Sequence, residues 1–352
     1  MSSQRDQAYL KTRVSLLSTR LLSPVDIEHL KQLSLHQFGE RFDLLPIFKQ
    51  EIDSQQKSIL VEQLFLQRLM DELKVLLRPL SGRSRGLMLY WPRKYELYNL
   101  KTLIRGKLHN LATQEIRNNL YALPENIRLP HEALLQAENV QEMLRLLERS
   151  PYSQIARQAR VVFEEHQESF SLGSAIDRLY YTGMLAQANI SESIDTHGLK
   201  KIIASIIDRQ NILWLMRYRL VYRFSPSEAY YLLIPQGGEI HRDNLLELVN
   251  LDNLEIIIDR LPEPFRNLLS DIKNITQARQ LLDRWVADRL RKLIHYSPDA
   301  VVSALCYLIV RDIDLRHLYA IIQGKLLEMP QNLLDEAILS DQFATTVGEA
   351  AI

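Results

Sequence analysis

The sequence predicts an all-α protein, and two features of its 352 residues indicate this. Apolar residues recur three and four positions apart over long stretches, as in "ILVEQLFLQRLMDELKVLL" from Ile59 to Leu77, which is the spacing of one helix face. Only 11 residues are glycine, whereas good helix formers fill the stretches between breaks. Strict two-residue alternation, the strand pattern, is hard to find, and "EAYYLLIP" from Glu228 to Pro235 is its best short candidate.

Short turn signals separate the further helical segments. "AENVQEMLRLLERS", which begins at Ala137, and "ARQLLDRWVADRLRKLI", which begins at Ala278, repeat the same apolar spacing. The breaks are rich in Pro, Gly and Ser, and they include Pro79–Gly86, Ser150–Ser153, Ile234–Glu239 and Leu261–Phe265. "GRSRG", from Gly82 to Gly86, is predicted to be a basic loop. We therefore expect many helices joined by short connections.

Charge and cysteine content restrict the class of partner and compartment. Lys plus Arg equals Asp plus Glu at 43 each, so no net field attracts nucleic acid or anionic lipid, and a charged partner must meet a local patch. We expect no nucleic-acid partner. The single cysteine, Cys306, excludes a disulfide framework and a cysteine-based zinc site, which fits a reducing compartment.

No segment of the sequence has the pattern of a signal peptide or a membrane span. The start, "MSSQRDQAYLKTR", lacks an apolar core. The apolar-rich stretch from Ala300 to Val310 is shorter than the roughly 20 residues that cross a bilayer. We expect a protein that is soluble or held at a membrane only through other proteins.

One short helical motif, "YNLKTLIRGK" from Tyr98 to Lys107, recurs further along the chain. An acid, an amide or imidazole, two aliphatic residues and a base stand at i, i+3, i+4, i+7 and i+11, which places them on one helix face. The acid lies toward the N-terminal end and the base toward the C-terminal end, as the helix dipole favours. The three copies are Glu96, Asn99, Leu100, Leu103 and Lys107; Asp208, Asn211, Ile212, Leu215 and Arg219; and Asp314, His317, Leu318, Ile321 and Lys325.

The similarity between copies extends beyond the motif. Asp177 lies 34 residues before Asn211, and Asp283 lies 34 residues before His317, each within an Asp-Arg pair closely followed by an aromatic residue. Downstream, "LPENIRLPHEALLQAENVQEMLRLLERSPY" resembles "IPQGGEIHRDNLLELVNLDNLEIIIDRLPEPF". Repetition at this scale predicts units that bury their faces against neighbours. We predict three helical units, at residues 1–150, 151–265 and 266–352.

The motif residues are interpreted first as structural. We expect the six aliphatic positions to pack in the core and the bases to act mainly at the helix C-termini. Asn99 and Asn211 are expected to bond to the backbone of a neighbouring helix, because a half-buried amide is costly unless it is hydrogen-bonded.

The sequence offers little support for catalysis. No two of the nine histidines have the spacing of a helical zinc pair. Gly237 and Gly238 form a turn without the Gly-Lys-Ser/Thr pattern that cradles phosphate, and no nucleophile elbow is present. We therefore expect no catalytic residue, no metal and no cofactor, although side chains from distant segments could still converge.

Tyrosine and arginine residues are concentrated between Arg178 and Tyr231. This pairing of residue types is enriched at interfaces and is also common where packed helices have one wet edge. The candidate interface residues are Arg83 and Arg85 of the predicted basic loop, together with Arg217 and Tyr218.

Four segments of the chain carry a resemblance to a known family. They are "AYLKTRVSLLSTRLL" from Ala8 to Leu22, "YELYNLKTLIRGK", "IIDRQNILWLMRYRL" and "YLIVRDIDLRHLYAIIQGK". In this order the chain resembles the C subunit of V-type and A-type rotary ATPases, called the d subunit in the eukaryotic enzyme. Two departures are His317 in place of the usual Asn and Arg217-Tyr218-Arg219 in place of Arg-Gly-Lys.

The resemblance implies a fold and a function. It implies three similar helical domains arranged as a funnel about a pseudo-threefold axis. It also implies a non-catalytic socket on the cytoplasmic side of the membrane, held there by the proteolipid rotor ring, which receives the central-stalk subunits and transmits torque. The alternative is a helical-repeat adaptor with other partners, and a helical enzyme is a third, weaker alternative.

Overall fold

The computed structural model describes residues 4–125, 127–166, 169–190 and 195–329. These residues form helices with short connections, and no strand occurs within them. The prediction of an all-α protein is confirmed. Two local predictions were wrong, because "EAYYLLIP" lies largely in a helix, Pro226–Leu232, and "GRSRG" begins another, Gly82–Tyr90.

The chain divides into two compact units, of which the first combines both ends of the sequence. It comprises Met1–Ser81, Ser193–Gly198 and Leu268–Ile352. Its helices are α1 Gln4–Ser18, α2 Pro24–Gln32, α3 Leu35–Arg41, α4 Leu45–Phe48, α5 Ser54–Leu77, α18 Ile275–Tyr296 and α19 Ala300–Leu326.

The second unit comprises Gly82–Glu192 and Leu199–Asn267. Its helices are α6 Gly82–Tyr90, α7 Arg93–Leu108, α8 Thr113–Asn118, α9 His131–Gln136, α10 Val140–Leu147, α11 Ser153–His166, α12 Ser169–Ile190, α13 Thr196–Met216, α14 Pro226–Leu232, α15 Arg242–Leu248, α16 Leu254–Arg260 and α17 Phe265–Leu269. α13 begins just before the unit boundary and continues into a π-helical turn, Arg217–Val221, while α17 runs across the boundary at its end.

Side-chain caps determine where several helices begin. Ser23 with Asp26, Ser34 with Gln37 and Ser225 with Glu228 form reciprocal capping boxes at α2, α3 and α14. Each box satisfies two main-chain N–H groups that have no partner inside the helix. Pro24 and Pro226 occupy first-turn positions, where a missing N–H costs nothing.

Helix α19 forms the centre of the first unit. Every residue from Ala300 to Leu315 is buried, and the helix packs against α1, α5 and α18. This explains the lack of a polar face in "AVVSALCYLIV", since a helix surrounded by protein is apolar all round. None of the described helices combines the length and apolar character that crossing a membrane requires.

Helix α12 holds a comparable position in the second unit, where it packs against α6, α7, α11 and α14. Tyr90 and Tyr180 stack with ring centroids 5.7 Å apart, and the Tyr180 hydroxyl donates to the Trp91 carbonyl at 2.7 Å. Gly183 permits this approach, because a Cβ there would overlap the Tyr90 hydroxyl.

Candidate functional site

The first and third motif copies lie in the long helices α7 and α19, and the second lies in α13 and the π-helical turn that continues it. All six aliphatic side chains are at most 1% exposed; they are Leu100, Leu103, Ile212, Leu215, Leu318 and Ile321. The three acids, Glu96, Asp208 and Asp314, are each 0% exposed. A buried carboxylate is costly unless hydrogen bonds satisfy it, so the partners of these acids define what the motif does.

In the first copy the acid and amide hold the chain between α8 and α9. Glu96 accepts from the Leu129 N–H, and its Oε1 lies 2.9 Å from His131 Nε2. Asn99 Oδ1 accepts from the Tyr121 N–H at 2.8 Å, and its Nδ2 donates to the Tyr121 carbonyl at 3.0 Å. The Asn99 amide thus supplies hydrogen-bond partners for both main-chain groups of Tyr121, which lies in a loop and has no secondary-structure partner for them.

The second copy repeats this arrangement on the loop between α14 and α15. Asp208 accepts from the N–H groups of Gly238, Glu239 and Ile240, at 2.9, 2.8 and 3.3 Å. Asn211 exchanges two bonds of 2.9 Å with the main chain of Ile234. Burial raises the pKa of Asp208, and the three N–H donors oppose that rise.

Gly237 is required for this close approach. A Cβ at Gly237 would overlap both the Asp208 carboxylate and the Ile240 carbonyl. The glycine pair that the sequence marks as a turn is therefore a place where the backbone meets a buried carboxylate.

The third copy takes its bound segment from the other end of the sequence. Asp314 Oδ2 accepts from the Leu22 N–H at 2.8 Å, and Asp314 Oδ1 lies 3.1 Å from Arg291. Lys325 Nζ donates to the Lys31 carbonyl at 2.7 Å. In the first two copies the bound segment follows the motif helix in sequence. In the third copy the segment around α2, which precedes the motif helix, makes the corresponding contacts.

The bases do more than the sequence predicted. Lys107 Nζ donates to the Leu135 carbonyl at 2.6 Å, and Arg219 donates to the carbonyls of Leu251 and Phe224. The expectation was a favourable charge at each helix's own C-terminus. Each base lies on the same helix face as the buried motif residues, so its long side chain reaches the segment that packs against that face. We name the acid, amide and base contacts together the segment clamp.

The prediction for Asn99 and Asn211 also needs a correction. Their main-chain partners are the loop residues Tyr121 and Ile234 and not residues of a neighbouring helix.

His317 stands where the other copies have Asn, and it does not make the amide contact. Its Nδ1 is buried and has no hydrogen-bond partner in the described part of the chain. Burial lowers the pKa of His317 to about 4, and Arg316 adds to this. Asp283, Arg291 and Lys31 also face it electrostatically.

We expect His317→Asn to remove an acid-sensitive contribution to stability. The pKa is about 4 in the folded protein, against a usual value of 6.5, so the unfolded chain binds the proton first and wild type loses stability as pH falls through this window. One pKa unit corresponds to about 1.4 kcal/mol, which limits the effect to about 3 kcal/mol. The measurement is urea unfolding of both proteins from pH 8 to 4. Above pH 7 the difference between the two stabilities should be constant, and below pH 6 wild type should lose stability relative to His317→Asn; a constant difference over the whole range would contradict the assignment.

The four candidate interface residues are placed differently from one another. Arg83 is exposed and Arg85 half-buried, but both lie in helix α6 and not in a loop. Tyr218 is 2% exposed, and its hydroxyl donates to Ser174 at 3.3 Å. Tyr218 therefore presents no surface to a partner, because the π-helical turn that follows α13 directs its side chain inward. Arg217 is half-buried at the start of the π-helical turn.

Within the described residues, no group of three or more His, Cys, Asp or Glu side chains is placed to hold a metal ion. Cys306 is 0% exposed, and burial raises the pKa of its thiol far above the usual range. A buried thiol of this kind behaves as a small apolar side chain.

Sequence reasoning missed a buried charge cluster in the first unit. Glu72 is 5% exposed and lies 2.9 Å from Arg20 and 3.4 Å from Arg311. The Tyr307 hydroxyl donates to Glu72 at 2.7 Å. A signal was present, because Glu72 interrupts the apolar face of α5 in "LMDELKVLL".

The chain is similar to a known family along most of its length. Residues 10–337 match the family described as ATP synthase (C/AC39) subunit. The C subunit of the A-type ATP synthase of Methanosarcina mazei is 23% identical over 346 residues, which cover 96% of this chain and 92% of the relative. The corresponding protein of Pyrococcus abyssi is 23% identical over 359 residues, covering 98% and 90%. That of Pyrococcus horikoshii is 24% identical over 268 residues, covering 74% and 69%.

Proposed function

Because the chain belongs to the ATP synthase (C/AC39) subunit family, we propose that it is the central-stalk socket of a rotary ATPase. As a member of this family it is a non-catalytic subunit of such a complex. In the proposed role it links the central shaft to the proteolipid ring, on the cytoplasmic side of the membrane, and transmits torque between ATP hydrolysis or synthesis and ion transport.

The observation that carries the proposal is the family match over residues 10–337. The recurring segment clamp supports it. A torque-bearing part has to be stiff, and each of the three motif helices is tied to a second segment through buried polar contacts on Leu129, Ile240 or Leu22. Close-packed interiors of this kind transmit strain with little compliance.

We propose further that three similar helical domains, one around each motif helix, form a funnel with a pseudo-threefold arrangement. The contacts between a buried acid and a second segment recur at α7, α13 and α19, which supports three similar domains as the walls of the funnel. The contact of Asp314 with Leu22 supports assigning the segment around α2 to the wall built on α19, which modifies the predicted limits of 1–150, 151–265 and 266–352.

The proposal can be tested on the complex in its source cells. The chain is tagged, purified from detergent-solubilised membranes, and its partners are identified by mass spectrometry. Proteolipid and central-stalk subunits should be recovered in fixed stoichiometry. Recovery of the chain alone, or with unrelated proteins, would favour the adaptor alternative.

Coupling is measured separately from assembly. Membranes lacking this chain should retain ATP hydrolysis by the soluble sector but lose ATP-driven ion transport into vesicles, and adding the purified chain should restore it. Transport that persists without the chain would overturn the torque-transmitting role.

A further inference from the structure

A cationic, aromatic pocket in the second unit lies beside the second segment clamp and takes no part in it. Its volume is about 420 Å³. Seven residues line it, and they are Arg178, Ser227, Tyr230, Tyr231, Leu233, Pro235 and Arg242. Tyr231 is 48% exposed, so the pocket opens to the surface. We name it the Arg178–Arg242 pocket.

Two of the seven lining residues carry guanidinium groups and none carries a carboxylate, so the lining itself is positively charged. Neither Arg178 nor Arg242 forms an ion pair within the described residues. Two acids near the pocket in sequence are engaged elsewhere: Asp177 lies 2.7 Å from Lys101, and Glu228 accepts the Ser225 N–H and hydroxyl at the start of α14. In a chain of zero formal net charge, such a local excess selects for a negatively charged partner.

The pocket walls are held in place before any partner arrives. Arg178 donates to the Tyr231 carbonyl at 2.9 Å and stacks over the Tyr231 ring at 5.5 Å. Ile234, between the lining residues Leu233 and Pro235, is fixed by Asn211. Asp208 holds the chain up to Ile240, directly before His241 and Arg242. The second segment clamp therefore positions the pocket, and preorganisation of this kind lowers the entropic cost of binding.

We propose that the Arg178–Arg242 pocket docks an acidic segment of another protein, in which an Asp or Glu side chain stands beside an apolar one. Arginine binds carboxylates through a planar pair of donors, and tyrosine with arginine is the composition of binding hot spots. Leu233 and Pro235 supply an apolar floor for the adjoining side chain. The proposal does not rest on the rotary-ATPase function, because it specifies the chemistry of the partner segment and not its protein.

The test is site-specific photo-crosslinking in the intact assembly. Tyr231 is replaced by p-benzoylphenylalanine in the tagged full-length chain, the purified assembly is irradiated, and the crosslinked peptide is sequenced. We expect a peptide of another protein with at least one Asp or Glu within about four positions of the attachment site, which is the reach of neighbouring side chains on one helix face. No crosslink, a crosslink to a segment without acids, or a crosslink to lipid or nucleic acid would overturn the proposal.

Charge variants then test the recognition itself. Arg242→Glu, at an exposed position, should lower the crosslink yield at least about tenfold, and exchanging the partner's acid for Lys should restore it. The matched control is Arg260→Glu, on α16 of the same unit with its side chain 63% exposed, which should leave the yield unchanged. Equal losses for Arg242→Glu and Arg260→Glu would show a general charge effect and overturn the assignment. If no rotary subunits co-purify, the function proposed for the whole chain fails while this test still reports on the pocket.

Discussion

Asp208→Ala is expected to destabilise the second unit by about 3–5 kcal/mol. The substitution leaves the buried N–H of Ile240 and the partly buried N–H groups of Gly238 and Glu239 without their acceptor. A buried unsatisfied donor costs roughly 1–3 kcal/mol, and partly buried donors add less. Part of the loss is recovered, because burying the carboxylate opposes folding and raises its pKa. The measurement is urea unfolding followed by circular dichroism.

The matched control is Asp259→Ala, at an exposed position on α16 in the same unit. Away from special features, surface substitutions change stability by about 0.5 kcal/mol or less. Asp208→Asn should fall between the two variants, since its side chain keeps one acceptor oxygen and turns a donor toward an N–H. If Asp208→Ala and Asp259→Ala shifted the transition equally, the clamp would have no energetic role.

Glu72→Leu is expected to destabilise the first unit by about 3–5 kcal/mol, because it leaves a buried guanidinium without its counter-ion. The Arg311 side chain is only 10% exposed, so water cannot replace the carboxylate. Arg20, with its side chain 58% exposed, can turn to solvent. The measurement is again urea unfolding.

A double-mutant cycle separates the ion pair from its surroundings. Glu72→Leu combined with Arg311→Met should be more stable than Glu72→Leu alone, because both charges are then gone. Some loss should remain, since the Tyr307 hydroxyl still lacks its acceptor. Asp71→Leu is the control on the same helix, with its side chain 55% exposed, and it should cost less than about 1 kcal/mol. Additive effects of the two substitutions would refute the coupling.

The sequence was sufficient to predict the fold class and the residues that recur. The helical spacing of Leu100 and Leu103 is a local property, and it repeats around Ile212 and Leu318. The buried acid that precedes each pair can also be recognised in the sequence, because Glu96, Asp208 and Asp314 interrupt otherwise apolar helix faces. These features depend only on neighbours within three or four positions, which is the range over which periodicity can be observed.

The partners of those residues could not be predicted in the same way. Tyr121 and Ile234 lie in loops of different composition, and Leu22 lies near the opposite end of the sequence from Asp314. Main-chain N–H groups carry no sequence signature, so any residue other than proline can donate to a carboxylate. The inward direction of Tyr218 and the orphaned Nδ1 of His317 are tertiary facts of the same kind.

The contact between Asp314 and Leu22 bears on how the protein is made. A ribosome that adds roughly 5–20 residues per second exposes the α2 segment first and delivers α19 on the order of 15–60 s later. Until then the side of α5 that packs against α19 is uncovered, although α1 and α4 already lie against other parts of the helix. A chaperone that shields the nascent amino-terminal helices would bind the chain during that interval.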